Sequence, residues 1–357
     1  MQIHTELPMA APIIVKFVIA RPRHYAPEGW SRQFPGGETV WGRCRFVFDA
    51  DVRQYDWLVA YDDLPPDADG GPRAGRELLA CPSEHTLLQT AEPSSIKSYG
   101  RRFVSQFGHV LTSQPAEALP HPRAIRQQPA LVWFYGRGRD RHRSFDEIRD
   151  HPPLAKSQLV STVASAKQQR HTLHRRRYLF TGELKTLLPE LEVFGRGVRE
   201  IEDKAAALDD FRYHVAVENF RGPHHWTEKL ADCFLGCTLP FYYGCPNAAD
   251  YFPEGSFIPI DIFNPREAAR IIRQAIENGE FEKRLPLILE ARRRVLYEYN
   301  TYAVLARLIE ERHAETSGPT GGVLLNRHAM RAASPVHLLS DLAGKVRSRW
   351  SAFRAVR

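Results

Sequence analysis

The sequence predicts an α/β protein of two Rossmann-like domains, and three observations carry that expectation. Short β-rich runs alternate with helix-compatible segments over residues 12–136 and again beyond residue 157, the rhythm of sheets covered by helices rather than of a sandwich. Between the two series, residues 136–154 (GRGRDRHRSFDEIRDHPPL) form a charged segment ending in a Pro pair, a good interdomain hinge. The chain has 357 residues, which the usual domain size divides in two. The expected bounds are 1–140 for the first domain, 141–156 for the hinge and 157–280 for the second domain. C-terminal helices then take 281–317, and a linker with a basic tail takes 318–357.

In the first domain the expected strands are 13–19, 44–48, 57–61, 86–89, 109–112 and 130–135. Residues 62–75 (DDLPPDADGGPRAG), rich in Pro, Gly and Asp, should be a mobile loop at the sheet edge. After residue 89 comes Thr90-Ala91-Glu92-Pro93 and then a helix through about Phe107. Proline is favoured in the first turn of a helix, so Glu92 should project its carboxylate at a strand-to-helix junction. The alternative is an exposed loop glutamate.

The second domain should open with a strand at 157–164 and a helix carrying Arg175, Arg176 and Arg177, followed by a strand and glycine turn at 191–197 (LEVFGRG). Its most informative stretch is 213–261. A β-rich run ends in Glu218 and Asn219, a loop with Gly222 and Pro223 follows, and a helix opens near Thr227 with Leu230, Cys233, Phe234 and Cys237 on one apolar face. Glu228 and Lys229 then lie in the first turn, where unpaired N–H groups and the positive dipole end favour an anion. Ligands of open α/β sheets bind beyond the carboxyl ends of strands, where Glu218 and Asn219 emerge, so both clusters can face one phosphate-binding crevice. An ordinary βαβ unit with a solvated helix start is the other reading.

Residues 265–279 and 281–312 are helical by periodicity and are expected to return to the first domain. Beyond the loose stretch 318–322, residues 337–357 place Leu338, Leu342, Val346, Trp350, Phe353 and Val356 at intervals of three or four among five basic residues. That pattern describes a cationic amphipathic helix, which could lie on an anionic membrane surface, pack on the protein, or fray.

Composition, at 43% hydrophobic and 25% charged residues, is that of a soluble globular protein. Five cysteines, an odd number without metal-type spacing, point to a reducing compartment. The apolar run 13–20, interrupted by Lys16, is too short and too charged for a membrane span or signal segment, and no N-x-Ser/Thr sequon occurs. A cytoplasmic enzyme of bacterial type is expected. The net charge of +7 suits a polyanionic ligand, but no zinc-finger spacing or RNP motif accompanies it, so nucleic acid is not an expected partner. Adjacent His224 and His225 lack further ligands in register, and no metal is expected either.

Val217-Glu218-Asn219, Thr227-Glu228-Lys229-Leu230, Gly236 with Pro240 and Gly244, Asp250-Tyr251-Phe252-Pro253 and Ser256-Phe257-Ile258 follow in a recognisable order and spacing. The stretch resembles the C-terminal donor-binding region of the family 10 glycosyltransferases, the α-1,3-fucosyltransferases, over roughly residues 157–263. The resemblance implies a GT-B architecture, with nucleotide sugar on the C-terminal domain and acceptor on the N-terminal one across a cleft. It also implies inverting transfer of L-fucose from GDP-fucose to a hydroxyl of a glycan acceptor, such as a bacterial surface polysaccharide or lipopolysaccharide, with no cofactor. Glu92 would be the general base. Arg177, which has Phe180 and Leu184 at the family's offsets, would bind the diphosphate together with Lys229; Arg175 and Arg176 are alternatives. Glu218, Asn219 and Glu228 would hold the sugar and ribose and offset positive charge at the reacting carbon, within a motif that includes Thr227. Where the family has Asp-Tyr, this chain has His224-His225-Trp226, so His225 takes the place of a donor-contacting tyrosine; Phe220 replaces a serine. Two other readings are a GT-B transferase for another nucleotide sugar and a non-catalytic nucleotide- or glycan-binding protein.

Overall fold

The computed structural model of the chain describes residues 11–19, 27–66, 75–164, 172–313 and 320–333. Its strands are β1 (Ile13–Ile19), β2 (Val40–Trp41), β3 (Cys44–Val47), β4 (Trp57–Tyr61), β5 (Arg76–Leu78), β6 (Thr86–Gln89), β7 (His109–Thr112), β8 (Ala124–Arg126), β9 (Gln158–Val163), β10 (Glu192–Phe194), β11 (Phe211–Val217), β12 (Leu239–Tyr243), β13 (Ile258–Pro259) and β14 (Val323–Leu325). Its α-helices are α1 (Pro27–Ser31), α2 (Arg101–Val104), α3 (Phe145–Asp150), α4 (His174–Leu187), α5 (Glu228–Leu235), α6 (Pro265–Glu277), α7 (Glu280–Tyr297), α8 (Thr301–Glu310) and α9 (Arg327–Ala332).

Two sheets organise these elements. The first has the order β2-β3-β1-β4-β6-β7-β8 and is parallel except for β2 against β3. The second, β10-β9-β11-β12-β13, is parallel throughout. Parallel strands covered on both faces read as near-continuous apolar runs, which is why the strands were legible as β-rich stretches. In the first sheet Val15, Phe17, Trp57 and Val59 pack on one side with Trp30 and Phe34, while Val18, Leu58, Ala60 and Leu88 pack on the other with Tyr99, Phe103 and Phe107.

Several expectations are corrected. Residues 130–135 form no strand; instead Phe134 and Tyr135 donate their N–H groups to Asp232 Oδ1 at 2.9 and 3.0 Å. The helix after Glu92 is only α2, because Pro93 starts a turn, accepting from Ile96 and Lys97, and Gly100 at φ +82° redirects the chain before Arg101. The helical stretch 281–312 is broken at Asn300, whose side chain accepts from Tyr302 N at 2.9 Å and starts a new helix. Helix α5 ends at Leu235, so Cys237 lies beyond it at φ +50°, and every residue from Leu230 to Leu235 is buried rather than one face. The tail 337–357 lies outside the described residues.

The break at Asn300 has a topological effect. Helix α7 packs in the second domain's core through Phe281, Ile288, Ala291 and Val295, whereas α8 packs in the first domain's core through Tyr302, Val304, Leu305 and Ile309. Tyr302 stacks on Phe34 at 3.8 Å between centroids. Strand β14 then pairs antiparallel with β5, and Arg327 N donates to Asp63 Oδ1 at 3.2 Å. The chain thus crosses between the domains twice. The crossings touch: Thr301 Oγ1 donates to Ala130 O at 2.9 Å.

Strand β1 carries a fully buried lysine. Lys16 Nζ meets Glu77 Oε1 on β5 at 2.7 Å, and Tyr55 OH donates to the same oxygen at 3.0 Å. Removing one partner of a buried ion pair strands the other charge and costs about 3–5 kcal/mol. Lys16→Ala should therefore lower the urea unfolding free energy by about that amount, while Lys16→Met with Glu77→Gln should recover most of it.

Candidate active site

The second sheet has the strand order 2-1-3-4-5 in chain sequence, so its topological switch point lies between β9 and β11, where ligands of open parallel sheets bind. Strand β11 ends at Val217, and Glu218 and Asn219 follow at its carboxyl edge. Glu218 is fully buried. Its Oε1 accepts from Thr227 N at 2.9 Å, and its Oε2 accepts from the Thr227 hydroxyl at 2.7 Å. Thr227 is the N-cap of α5, its Oγ accepting from Lys229 N at 3.3 Å. The start of α5, expected to hold a ligand anion, thus already faces the Glu218 carboxylate. Gly244 makes room for that carboxylate: a Cβ there would come within 2.3 Å of Glu218 Cγ.

Lys229 Nζ extends from the first turn to Glu228 Oε1 at 3.0 Å and Glu218 Oε2 at 3.4 Å. Lys204 reaches Asp232 Oδ2 at 2.8 Å and Glu228 Oε1 at 3.5 Å. Burial disfavours the Glu228 charge, but Lys229 and Lys204 on either side hold its carboxyl well below the usual carboxylate range. Burial pushes the Glu218 carboxyl up, against the pull of Lys229. Lys204 would be lowered by burial, yet Asp232 and Glu228 hold it above its ordinary value.

Arg177, on α4, donates to Asn219 Oδ1, and Leu173 N donates to Asn219 O at 3.3 Å. Arg177, Lys204, Glu228 and Lys229 line one cavity of about 220 Å³ at the switch point. Of the alternatives to Arg177, Arg176 is committed to Ile262 O and Arg175 is exposed. His225 is buried, with Nδ1 2.9 Å from Ser113 Oγ of the first domain, and burial pushes its pKa down to about 3, keeping the ring neutral. His224 turns elsewhere, towards Tyr251 OH at 2.7 Å.

Glu92 comes from the other side of the cleft, on the turn after β6. Its backbone is clamped rather than its side chain. Tyr99 OH accepts from Ala91 N at 2.9 Å and Glu92 N at 3.3 Å and donates to Asp62 Oδ1 at 2.6 Å. Gln114 Nε2 ties Glu92 O and Lys97 O together at 2.8 and 3.0 Å, and Lys97 pairs with Asp62 Oδ2 at 2.6 Å. Burial, then the neighbouring Asp62 charge, raises the Glu92 pKa above the ordinary carboxylate value.

The two half-sites meet. A cavity of about 630 Å³ between the domains is lined by Glu92, Asp62, Lys97 and Arg327 on one side and by Glu218, Asn219, His225, Thr227, Glu228 and Lys229 on the other. All the site residues expected from sequence therefore line this cleft except Arg177, which lies in the adjoining switch-point cavity that shares Asn219, Glu228 and Lys229. Sequence reading missed Asp62, Lys97, Tyr99, Lys204 and Asp232. A pointer existed at Asp62, a polar residue directly after a strand, but its φ of +70° and its bond to Tyr99 arise only in the fold.

Two α/β sheets face each other across a polar cleft, the two-domain arrangement of the GT-B fold. Residues 153–282 match the family described as glycosyltransferase family 10 (fucosyltransferase), C-terminal domain, in keeping with the resemblance. A stretch of 63 residues is 30% identical to the alpha-(1,3)-fucosyltransferase FucT of Helicobacter pylori, spanning 18% of this chain and 13% of that enzyme. A crystal structure of an α1,3-fucosyltransferase overlaps 88% of this chain and 94% of its own with a TM-score of 0.49 at 15% identity, and one with GDP-fucose overlaps 88% and 95% with a TM-score of 0.49 at 14%. The α,α-trehalose 6-phosphate synthase of Burkholderia multivorans overlaps 84% of this chain and 99% of its own with a TM-score of 0.45 at 9% identity.

The buried histidines set an acid limit on the fold. His214, bonded to Ser161 Oγ at 2.7 Å, is also pushed down to about 3 by burial, so neither it nor His225 takes a proton in the folded state until well below the unfolded value of about 6.5. Below that value the unfolded chain binds more protons. Unfolding free energy should then fall as pH drops from about 6.5 towards 4, by up to about 1.4 kcal/mol per pH unit for each ring. Denaturant titrations across that range check it, and Glu218, with its raised pKa, adds nothing to the loss.

Proposed function

We propose that the protein is an inverting fucosyltransferase that moves L-fucose from GDP-fucose to a hydroxyl of a glycan acceptor. The observation that carries the reading is the cleft itself: an acidic side chain with a raised pKa on one wall faces Lys229, Glu228 and Asn219 on the other. The family 10 match over the donor domain supports the choice of donor.

In this reading the diphosphate lies at the switch-point cavity against Arg177 and Lys229, with the sugar pointing into the cleft. The acceptor oxygen attacks the anomeric carbon from the Glu92 side, its proton passes to the Glu92 carboxylate, and the bond to phosphate breaks with its electron pair leaving on GDP. Charge grows on the leaving oxygen, where preorganised cations do most. Glu228, kept ionised by its two lysines, lies beside the reacting carbon as positive charge develops there. Glu218 and Thr227 act as positioning residues, since their polar atoms are already spent on the α5 start. One displacement inverts the anomeric centre without a covalent enzyme intermediate.

Calorimetric titration with GDP-fucose, GDP-mannose and UDP-glucose, beside a GDP-fucose hydrolysis assay with water as acceptor, tests this reading. GDP-fucose should bind selectively, and Lys229→Ala should cut turnover by about two to three orders of magnitude. Near-normal turnover of that variant would remove Lys229 from the leaving-group role, and preference for another nucleotide would overturn the fucose assignment.

The Glu92 environment gives a separate expectation. A general base works ionised, so turnover should rise with pH through the Glu92 pKa, above the ordinary carboxylate value. Asp62→Asn keeps a hydrogen-bond acceptor for Tyr99 and a residue that tolerates φ +70°, but deletes the nearby negative charge and frees Lys97. The acid limb of the pH profile should move to lower pH; a fixed limb would mean that Asp62 does not tune the base.

A further inference from the structure

A third cavity, of about 670 Å³, opens past Asn219 at the carboxyl ends of β11, β12 and β13. It shares Asn219 with the cleft and takes part of its wall from Ser95, three residues after Glu92 on the same turn. No step of the transfer reaction described above uses it.

Its walls combine two kinds of group. Phe220, Tyr243, Phe257 and Phe263 supply aromatic rings, and Phe263 is left 48% exposed. That exposure is not looseness. Phe263 N donates to Asp261 Oδ1 at 2.9 Å, its ring stands edge-on to Tyr243 at 6.2 Å, and the Arg176 guanidinium, itself anchored on Ile262 O, lies 5.1 Å from the ring centroid. At the rim stand Arg221 and Asp261, both exposed, and among the described residues neither forms an ion pair.

Fixed aromatic rings beside planar polar side chains suit a pyranose, which offers C–H groups to a ring and adjacent hydroxyls to a carboxylate or guanidinium. Among the described lining residues one arginine stands against one aspartate, so they carry no net charge that would favour a phosphate. The cations suited to phosphate, Arg177, Lys204 and Lys229, line the neighbouring cavity instead.

We propose that this cavity is a saccharide subsite that holds the acceptor glycan's next units while its reacting hydroxyl lies at Glu92. The proposal rests on the glycosyltransferase reading, and it places part of acceptor choice on the donor domain rather than on the N-terminal domain alone.

The test uses the full chain saturated with GDP and a printed panel of neutral and acidic glycans, comparing wild type with Phe263→Ala and Asp261→Asn, the latter keeping an acceptor for Phe263 N. Wild type should capture neutral glycans. Phe263→Ala should weaken capture by about tenfold, the scale of one lost aromatic contact, while both variants keep wild-type GDP affinity and GDP-fucose hydrolysis. Equal capture by wild type and both variants overturns the subsite, as does capture of no neutral glycan. Loss of GDP affinity in Phe263→Ala also overturns it, by assigning the cavity to the donor. Absence of GDP-fucose hydrolysis in wild type is a different failure, that of the functional reading itself.

Discussion

The structure of the cleft depends on one buried carboxylate. Glu218 sits at the end of β11 with no access to solvent, and a buried charge is tolerable only when its hydrogen-bonding capacity is filled. Thr227 supplies an N–H and a hydroxyl, and Lys229 supplies the opposite charge. That arrangement fixes where α5 begins and therefore where Glu228 and Lys229 point. From there a chain of alternating charges runs inward through Lys204 to Asp232, which holds the backbone of Phe134 and Tyr135. The electrostatics of the cleft and the joint between the domains are one network.

Such a network explains the separation of behaviour between neighbouring glutamates. Glu218 is enclosed and faces one lysine, so burial dominates; Glu228 has a lysine on each side, so attraction dominates. Glu92, across the cleft, has a carboxylate neighbour and weaker support from Lys229 and Lys97. Three acids of one residue type thereby differ in their hold on a proton: one is enclosed beside a single lysine, one is held ionised between two, and one is raised by burial and a neighbouring carboxylate.

What was legible in the sequence was local. The strand end at Glu218-Asn219, the N-cap at Thr227 and the first-turn pair Glu228-Lys229 each depend on a few consecutive residues, and the structure keeps all three. What was not legible depends on distant partners. Residues 130–135 have the apolar composition of a strand, but their N–H groups go to Asp232, about a hundred positions away. Asp62 reads as loop composition because its partner Tyr99 lies 37 residues on, and Lys204 carries no motif because its carboxylate lies 28 residues on. Helix length after Glu92 failed for the same reason: Tyr99 turns inward to clamp the Glu92 backbone instead of continuing a helix.

The double crossing between domains limits how the cleft can move. A single connection would act as a tether and leave the halves free to twist; two connections that touch at Thr301 and Ala130 resemble a door hung on two adjacent pins. Relative movement of the wall bearing Glu92 and the wall bearing Lys229 is constrained by both connections at once. It also follows that the first domain is not a separable module. Its core includes Tyr302 and Leu305, which the chain supplies only after passing through the whole second domain and returning, so a fragment ending before Asn300 would lack them.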